Sequence, residues 1–126
     1  MIEKPLAYLY INRRGEKVQI HDLLKTAEFQ PNKMKKKNLF SSPRMFFDIY
    51  CLEPSQQQAL HRHDDNDKIY LVVDGEVEVM LGSEKQTLYP NQAVVASAGI
   101  PHGILNRSAS RAVVAVMMAP HPAFEK

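Results

Sequence analysis

The sequence predicts an all-β fold, a barrel or sandwich with little helix. From residue 44 onward, segments rich in β-branched and aromatic residues recur at short, even intervals, and glycine, proline or asparagine punctuates them. The chain has 126 residues, is 44% hydrophobic and 24% charged, and shows no internal repeat. These values are typical of one globular domain with its own core.

The chain divides into three predicted parts. Residues 1–43 are less regular and are expected to pack on the barrel as an extension, with a strand over 6–11 and one or two turns of helix over 20–27. Residues 44–118 are predicted to form the barrel. Residues 119–126 are predicted as a tail, because its prolines cannot continue a central strand.

Within the barrel, residues 76–81 give the clearest strand signal, since valine and leucine alternate there with glutamate. Asp74-Gly75 is a dipeptide that favours a two-residue hairpin turn, and Gly82-Ser83 predicts another turn. The strands are predicted at residues 45–52, 68–73, 76–81, 86–89, 93–96, 102–106 and 112–118.

Charge and composition exclude several function classes. The net charge is +2, and the one dense basic cluster, Lys33 with Lys35, Lys36 and Lys37, has no interleaved aromatic residues. It is therefore interpreted as a solvated face rather than a phosphate-binding surface, and no nucleic-acid partner is expected. No stretch approaches the ~20 apolar residues of a membrane span. No signal peptide is recognised and Cys51 is the single cysteine, so a cytoplasmic protein without a disulfide is expected.

Three of the five histidines lie in the β-rich part. His61 and His63 are two residues apart and would share one face of a strand, and His102 lies at another strand edge. Imidazoles bind divalent transition metals, here Fe, Zn, Ni or Mn, and three of them leave coordination positions open. The pair alone is equally consistent with two unrelated surface groups. His21 and His121 lie outside this spacing.

The surrounding residues are similar to two motifs of the cupin superfamily. His61-Arg62-His63, four residues, Lys68, six residues and Gly75 resembles the first motif, in which glutamate stands at the lysine position. Asn91, five residues, Ser97-Ala98-Gly99, two residues, His102, three residues and Asn106 resembles the second, with Asn91 in place of glycine and Ser97 in place of proline.

The resemblance implies a cupin double-stranded β-helix, also called a jelly-roll barrel, whose histidine-bearing strands meet at one end. Alternation then places Lys68 and Tyr70 on the inward face, where Tyr70 either lines the pocket or serves as a core aromatic residue. Cupins commonly form homodimers, and the strand over residues 6–11 is the candidate to cover an open sheet edge across the dimer.

Lys68 is the departure that matters, because an ammonium group cannot ligate and repels a cation by about 4 kcal/mol at ~4 Å. Three outcomes are open. Lys68 turns aside to pair with Asp64, Asp65 or Asp67; a bulge brings Asp67 in as the carboxylate ligand; or the metal is absent and the histidines and Lys68 form an anion-receptive pocket.

Three functions follow from the resemblance. The first is a metal-dependent oxidoreductase of the dioxygenase type, in which Lys68 and Tyr70 orient a small, anionic substrate. The second is a non-catalytic cupin that binds a metal or small ligand as a sensor or storage module. The third is a metal-independent isomerase or epimerase.

Overall fold

The predicted all-β architecture is confirmed by the structure, a computed structural model that describes residues 7–124. Eleven strands and one single-turn helix make up this part of the chain. Their bounds are β1 Ala7–Ile11, β2 Lys17–His21, α1 Leu23–Thr26, β3 Lys35–Ser42, β4 Met45–Leu52, β5 Gln57–His61, β6 Asp67–Asp74, β7 Val77–Leu81, β8 Glu84–Leu88, β9 Ala93–Ala96, β10 His102–Leu105 and β11 Ala112–Ala119. A 3-10 turn follows at Pro122–Phe124.

Two antiparallel sheets face each other and form the barrel. The five-stranded sheet has the order β3-β4-β11-β6-β9, and the four-stranded sheet has the order β5-β10-β7-β8. Alternation along the strands sends one set of side chains between the sheets. The core they form contains Met34, Tyr50, Leu52, Tyr70, Val72, Val77, Val79, Leu88, Ile104, Ala112, Val114 and Val116.

A second apolar cluster lies on the outer face of the five-stranded sheet. Ile49, Cys51 and Val113 are buried there, covered by Leu23, Ala27, Phe29, Leu39 and Val73. The last four residues of β4 are buried on both faces for this reason. Cys51 is buried and unpaired, and burial raises the pKa of its thiol.

The chain before residue 44 contributes to the barrel as well as covering it. β3 falls in the range predicted as an extension, yet it pairs with β4 at the edge of the five-stranded sheet. The division of the chain at residue 43 stays a prediction. The helix predicted over residues 20–27 is a single turn, because β2 continues to His21 and the Asp22 side chain caps the helix by accepting from Lys25 N at 3.0 Å.

The prediction of a hairpin at Asp74-Gly75 is wrong. β6 and β7 belong to different sheets, so the chain crosses between the sheets at this point. Gly75 has φ +74°, and a Cβ there would collide with Arg111 O on the neighbouring segment. Gly75 therefore supplies the positive φ that the chain needs where it crosses between the sheets. Gly82-Ser83 does close a hairpin, since Leu81 and Glu84 are paired across it.

The local structure explains how Asn91 and Ser97 can replace the glycine and the proline of the second motif. Asn91 has φ +70°, a conformation that asparagine tolerates better than most residues, so it can replace glycine in this turn. Ser97 accepts a backbone hydrogen bond from Ile100 N at 3.1 Å through its carbonyl, which closes the turn without a proline.

Asn106 is buried and fully hydrogen-bonded. Its Nδ2 donates to Leu52 O and Ser110 O, and its Oδ1 accepts from Ser108 N and Oγ. Asn106 thus stabilises the turn between β10 and β11, which is the role predicted for an asparagine at the end of a strand. Within residues 7–124, no helix is long and apolar enough to cross a membrane.

Candidate metal centre

The pairing of β5 with β10, which contains a bulge, places His61 and His102 opposite each other. His102 pairs with His61, and Ile104 pairs with Gln58, so Ala59 and Leu60 together face Gly103. A Cβ at Gly103 would lie 2.7 Å from Gln58 O, so only glycine fits against the bulge. Because of the extra residue, Gln58 and His61 point to the same side although they are three positions apart.

His63 lies just beyond the end of β5 and not on the strand itself. Its carbonyl accepts a hydrogen bond of 2.8 Å from Gly99 N, which ties the first motif to the turn of the second. The ring centroids are 4.4 Å apart for His61 and His102, 5.1 Å for His61 and His63, and 5.9 Å for His63 and His102. The structure therefore groups the three histidines named by the sequence.

The spacing of the three imidazoles suits one ion. One ligand atom from each lies within 4.8 Å of the other two. Two nitrogens bound to one ion at ~2.1 Å can be at most ~4.2 Å apart, so closure needs movements below about 1 Å. Small side-chain rotations can supply such movements.

The backbone fixes which ring nitrogens can ligate. Nδ1 of His61 lies 2.8 Å from Ala59 O, and Nδ1 of His102 lies 2.9 Å from Ile100 O. A carbonyl only accepts, so each Nδ1 carries the proton and each Nε2 carries the lone pair. His102 Nε2 is buried without a hydrogen-bond partner in the described part of the chain. Such an orphaned acceptor is uncommon in an interior and fits an atom that binds a metal.

Both of these imidazoles favour the neutral state that a ligand needs. Burial lowers the pKa of His102 to about 4, with a smaller contribution from Lys68. Burial also lowers the pKa of His61, although the bond to Ala59 opposes the shift. At neutral pH neither ring has to lose a proton before binding a cation.

Gln58 organises the polar floor beside the histidines, and sequence reasoning missed it. Its Oε1 accepts from Tyr70 OH at 2.6 Å and from Lys68 Nζ at 3.0 Å, and its Nε2 donates to Tyr50 OH at 3.4 Å. A run of three glutamines gives no signal for such a role. Only the bulge turns Gln58 inward.

Lys68 points into the barrel and is 1% exposed. Its Nζ lies 5.0 Å from the Tyr70 ring centroid and 5.4 Å from that of Tyr50, so the ammonium is packed against two aromatic faces. Burial lowers its pKa to about 7, and repulsion from Lys36 adds to the shift. Lys68 thus occupies the inward position that alternation along β6 predicts.

The aspartates near Lys68 have other roles. Asp64 pairs with Arg62 at 3.0 Å, and Asp67 is exposed, with Oδ1 accepting from Ala98 N at 2.9 Å. No ion pair to Lys68 occurs in the described residues, and Asp67 lies outside the histidine group. β6 pairs with β11 and β9 without a register shift at Asp67 and Lys68, so no bulge turns Asp67 inward as a ligand.

A cavity of about 410 Å³ opens beside the histidines. Tyr70 does not line it: this residue is wholly buried, and its hydroxyl is taken up by Gln58. Tyr50 is the lining tyrosine. The full lining is Lys36, Phe46, Tyr50, Gln58, Ala59, His61, His63, Lys68, Met118 and Pro122.

The burial of Lys68 predicts a pH-dependent stability. With a folded-state pKa of about 7 against 10.5 when unfolded, the unfolded chain binds more protons between these values. The contribution of Lys68 to the free energy of unfolding therefore rises with pH from about 7 to 10.5. Lys68→Met should stabilise metal-free protein by about 2–4 kcal/mol at pH 6, because Gln58 Oε1 keeps its bond from Tyr70, and the gain should shrink by pH 9.5. Urea unfolding at both pH values measures this, and a gain independent of pH would contradict it.

Comparisons with known proteins identify the fold and the family of the chain. No curated protein matches the chain. The crystal structure of TT1209 from Thermus thermophilus is 46% identical, with a TM-score of 0.80, and the match covers 82% of this chain and 98% of that one. KdgF from Halomonas sp. is 24% identical, with a TM-score of 0.69, over 77% of this chain and 89% of that one.

A Klebsiella pneumoniae protein with a double-stranded β-helix domain is 19% identical, with a TM-score of 0.76, over 82% of this chain and 91% of that one. At such identities the last two similarities concern the fold alone. The family model described as "Cupin domain" matches residues 48–118, more than half of the chain. The chain belongs to the cupin family.

Proposed function

We propose that the protein binds a divalent transition metal through Nε2 of His61 and His102 and a ring nitrogen of His63, and holds a small molecule in the adjoining cavity. The observation that carries the proposal is the buried Nε2 of His102, which has no hydrogen-bond partner within residues 7–124 and is grouped with two further imidazoles. A histidine that serves only as a core residue would be expected to use both ring nitrogens in hydrogen bonds. Here Nδ1 is used and Nε2 is left facing the group.

Three imidazoles favour Zn, Fe or Ni over ions that prefer oxygen. They contribute no negative charge, so a bound ion would keep its full charge of +2. Its open positions would then attract anionic donor atoms from a ligand. Lys68 contributes no carboxylate, and its tendency to lose its proton reduces the repulsion that a cationic side chain would exert on the ion.

The metal site is tested by binding measurements. Wild-type protein should bind one equivalent of Zn²⁺ or Fe²⁺ per chain and melt at a higher temperature when loaded. His61→Ala, His63→Ala and His102→Ala should each weaken binding by roughly 100-fold or more, because each removes one of three ligands. His21→Ala is the matched control, since His21 ends β2 outside the histidine group, and it should bind as wild type does.

Calorimetry and elemental analysis provide the readouts. Equal affinity in the wild type and the three variants, or no binding after reconstitution, would contradict the metal site and favour a metal-free pocket of the isomerase type.

For the reaction, we propose an oxidation of the dioxygenase type. A bound iron would supply the redox chemistry with dioxygen. The chain would position the substrate: Gln58 fixes the rotamers of Lys68 and Tyr50 by hydrogen bonding to both, and Phe46 and Met118 give the cavity apolar walls. A volume of about 410 Å³ suits a small acid or thiol.

Oxygen electrode measurements test this step. Fe²⁺-loaded protein should consume oxygen when given a small thiol such as cysteine, cysteamine or 3-mercaptopropionate, and mass spectrometry should find oxidised product. Zn²⁺-loaded protein and His102→Ala should fall to background. Tight retention of a ligand without turnover across a broad panel would indicate a non-catalytic binding or sensor cupin instead.

We also propose a homodimer formed through the β1–β2 hairpin. In the described residues these strands pair only with each other, and Leu9, Tyr10 and Ile11 are 67%, 45% and 61% exposed. An isolated two-stranded hairpin is marginally stable in water, so burial against a second copy would stabilise it. The outer edge of β3 has no strand partner in the described chain and could receive it.

Light scattering measures this assembly. Wild-type protein should have twice the chain mass, and Leu9→Lys with Ile11→Lys should shift it toward monomer, because the charges would be buried at the interface. Tyr89→Lys is the control, since Tyr89 is 54% exposed outside the hairpin. A monomeric wild type would overturn the dimer without affecting the metal site.

A further inference from the structure

The lysine cluster at the start of β3 is split between two faces of its sheet. Lys35 and Lys37 both reach Glu28, at 3.4 and 2.7 Å, so this carboxylate compensates them on the outer side. Lys36 points the other way, as alternation requires, and lines the cavity beside the histidines. The sequence predicts a solvated face for this cluster, but the Lys36 side chain lies beside the candidate site.

The Tyr50 ring lies close to both Lys36 and Lys68. It is the cross-strand partner of Lys36, whose Nζ is 5.3 Å from the ring centroid, and Lys68 Nζ is 5.4 Å from the same centroid. The Tyr50 hydroxyl accepts from Gln58 Nε2 and so keeps its own hydrogen for donation. Burial raises the pKa of this hydroxyl, which keeps it protonated.

No acidic side chain lines the cavity beside the two lysines. The lining residues include neither aspartate nor glutamate. The charge of Asp48 acts on both lysines, but Asp48 lies outside the cavity lining, and its Oδ1 accepts a hydrogen bond of 2.7 Å from Asn38 Nδ2. In the described residues neither Lys36 nor Lys68 forms an ion pair.

We infer that Lys36 and Lys68, together with the Tyr50 hydroxyl, anchor an oxyanion group, a carboxylate or phosphate, of the small molecule that occupies the cavity. Lys36 is exposed and stands at the mouth, whereas Lys68 lies deeper, so the anion is met by two donors at different depths. The opposite end of the ligand faces the histidines. That second assignment rests on the proposed metal function, but the anchor depends only on the lysines and Tyr50.

A charge-assisted hydrogen bond to an ammonium is worth about tenfold or more in affinity, and a screened surface charge far less. Lys36→Met and Lys37→Met form a matched pair, because these neighbours in β3 face the cavity and Glu28 respectively. Calorimetric titrations with malonate, succinate, glutarate and inorganic phosphate, each in Zn²⁺-loaded and metal-free protein, measure the anchor. Propionate, butyrate and pentanoate serve as probes with one carboxylate.

The expected result is that at least one dicarboxylate or phosphate binds wild type and Lys37→Met alike, and binds Lys36→Met roughly tenfold or more weakly, while Zn²⁺ affinity is unchanged in both variants. In loaded protein, a dicarboxylate should bind better than its monocarboxylate, and Lys36→Met should remove that advantage. Phosphate binding without dicarboxylate binding would assign a phosphorylated ligand.

If Lys36→Met and Lys37→Met lost equal affinity for the probes, the effect would come from general positive charge, and the anchor would be overturned. Unchanged affinity in Lys36→Met, or no binding of any probe to wild type, would also overturn it. Binding by metal-free protein that depends on Lys36, with no Zn²⁺ binding, would support the anchor while refuting the metal site. The anion anchor and the metal site can therefore be refuted independently of each other.

Discussion

The pairing of β5 with β10 is the constraint on which the candidate site depends. It sets His102 opposite His61, and its bulge, made possible by Gly103, turns Gln58 inward beside them. One irregularity in one ladder thus supplies both the histidine pair and the amide that positions Lys68 and both tyrosines. Without the bulge, alternation would send Gln58 to the opposite face from His61.

The buried Lys68 is the most costly group in this arrangement. A charged ammonium loses hydration when its residue is only 1% exposed, and one amide oxygen with two aromatic faces replaces only part of that hydration. The pKa near 7 is the consequence. Retention of such a group beside three imidazoles is easier to understand when an anion shares the cavity, because the anion would replace the missing counter-charge.

Charges on this barrel are sorted by face. Glu28 compensates Lys35 and Lys37 outside, Arg62 and Asp64 pair in the exposed loop, and Asp67 holds the backbone of the turn at Ala98. Asp64 and Asp67 are therefore used on the surface, and the cavity is left with basic and neutral lining residues. Such a distribution favours negative groups in the pocket.

The sequence by itself determined the all-β architecture, the three histidines and most strand positions, because periodicity and short motifs are local properties. It also determined that Lys68 points inward, since alternation along β6 is local too. Only the tertiary structure decided that Asp74-Gly75 crosses between sheets, that Gln58 joins the site and Tyr70 is withdrawn from the cavity, and that Lys36 faces it. These outcomes depend on strand order, on a bulge and on which sheet edge lies nearby. Sequence patterns could not predict them, because contacts between distant parts of the chain determine such features.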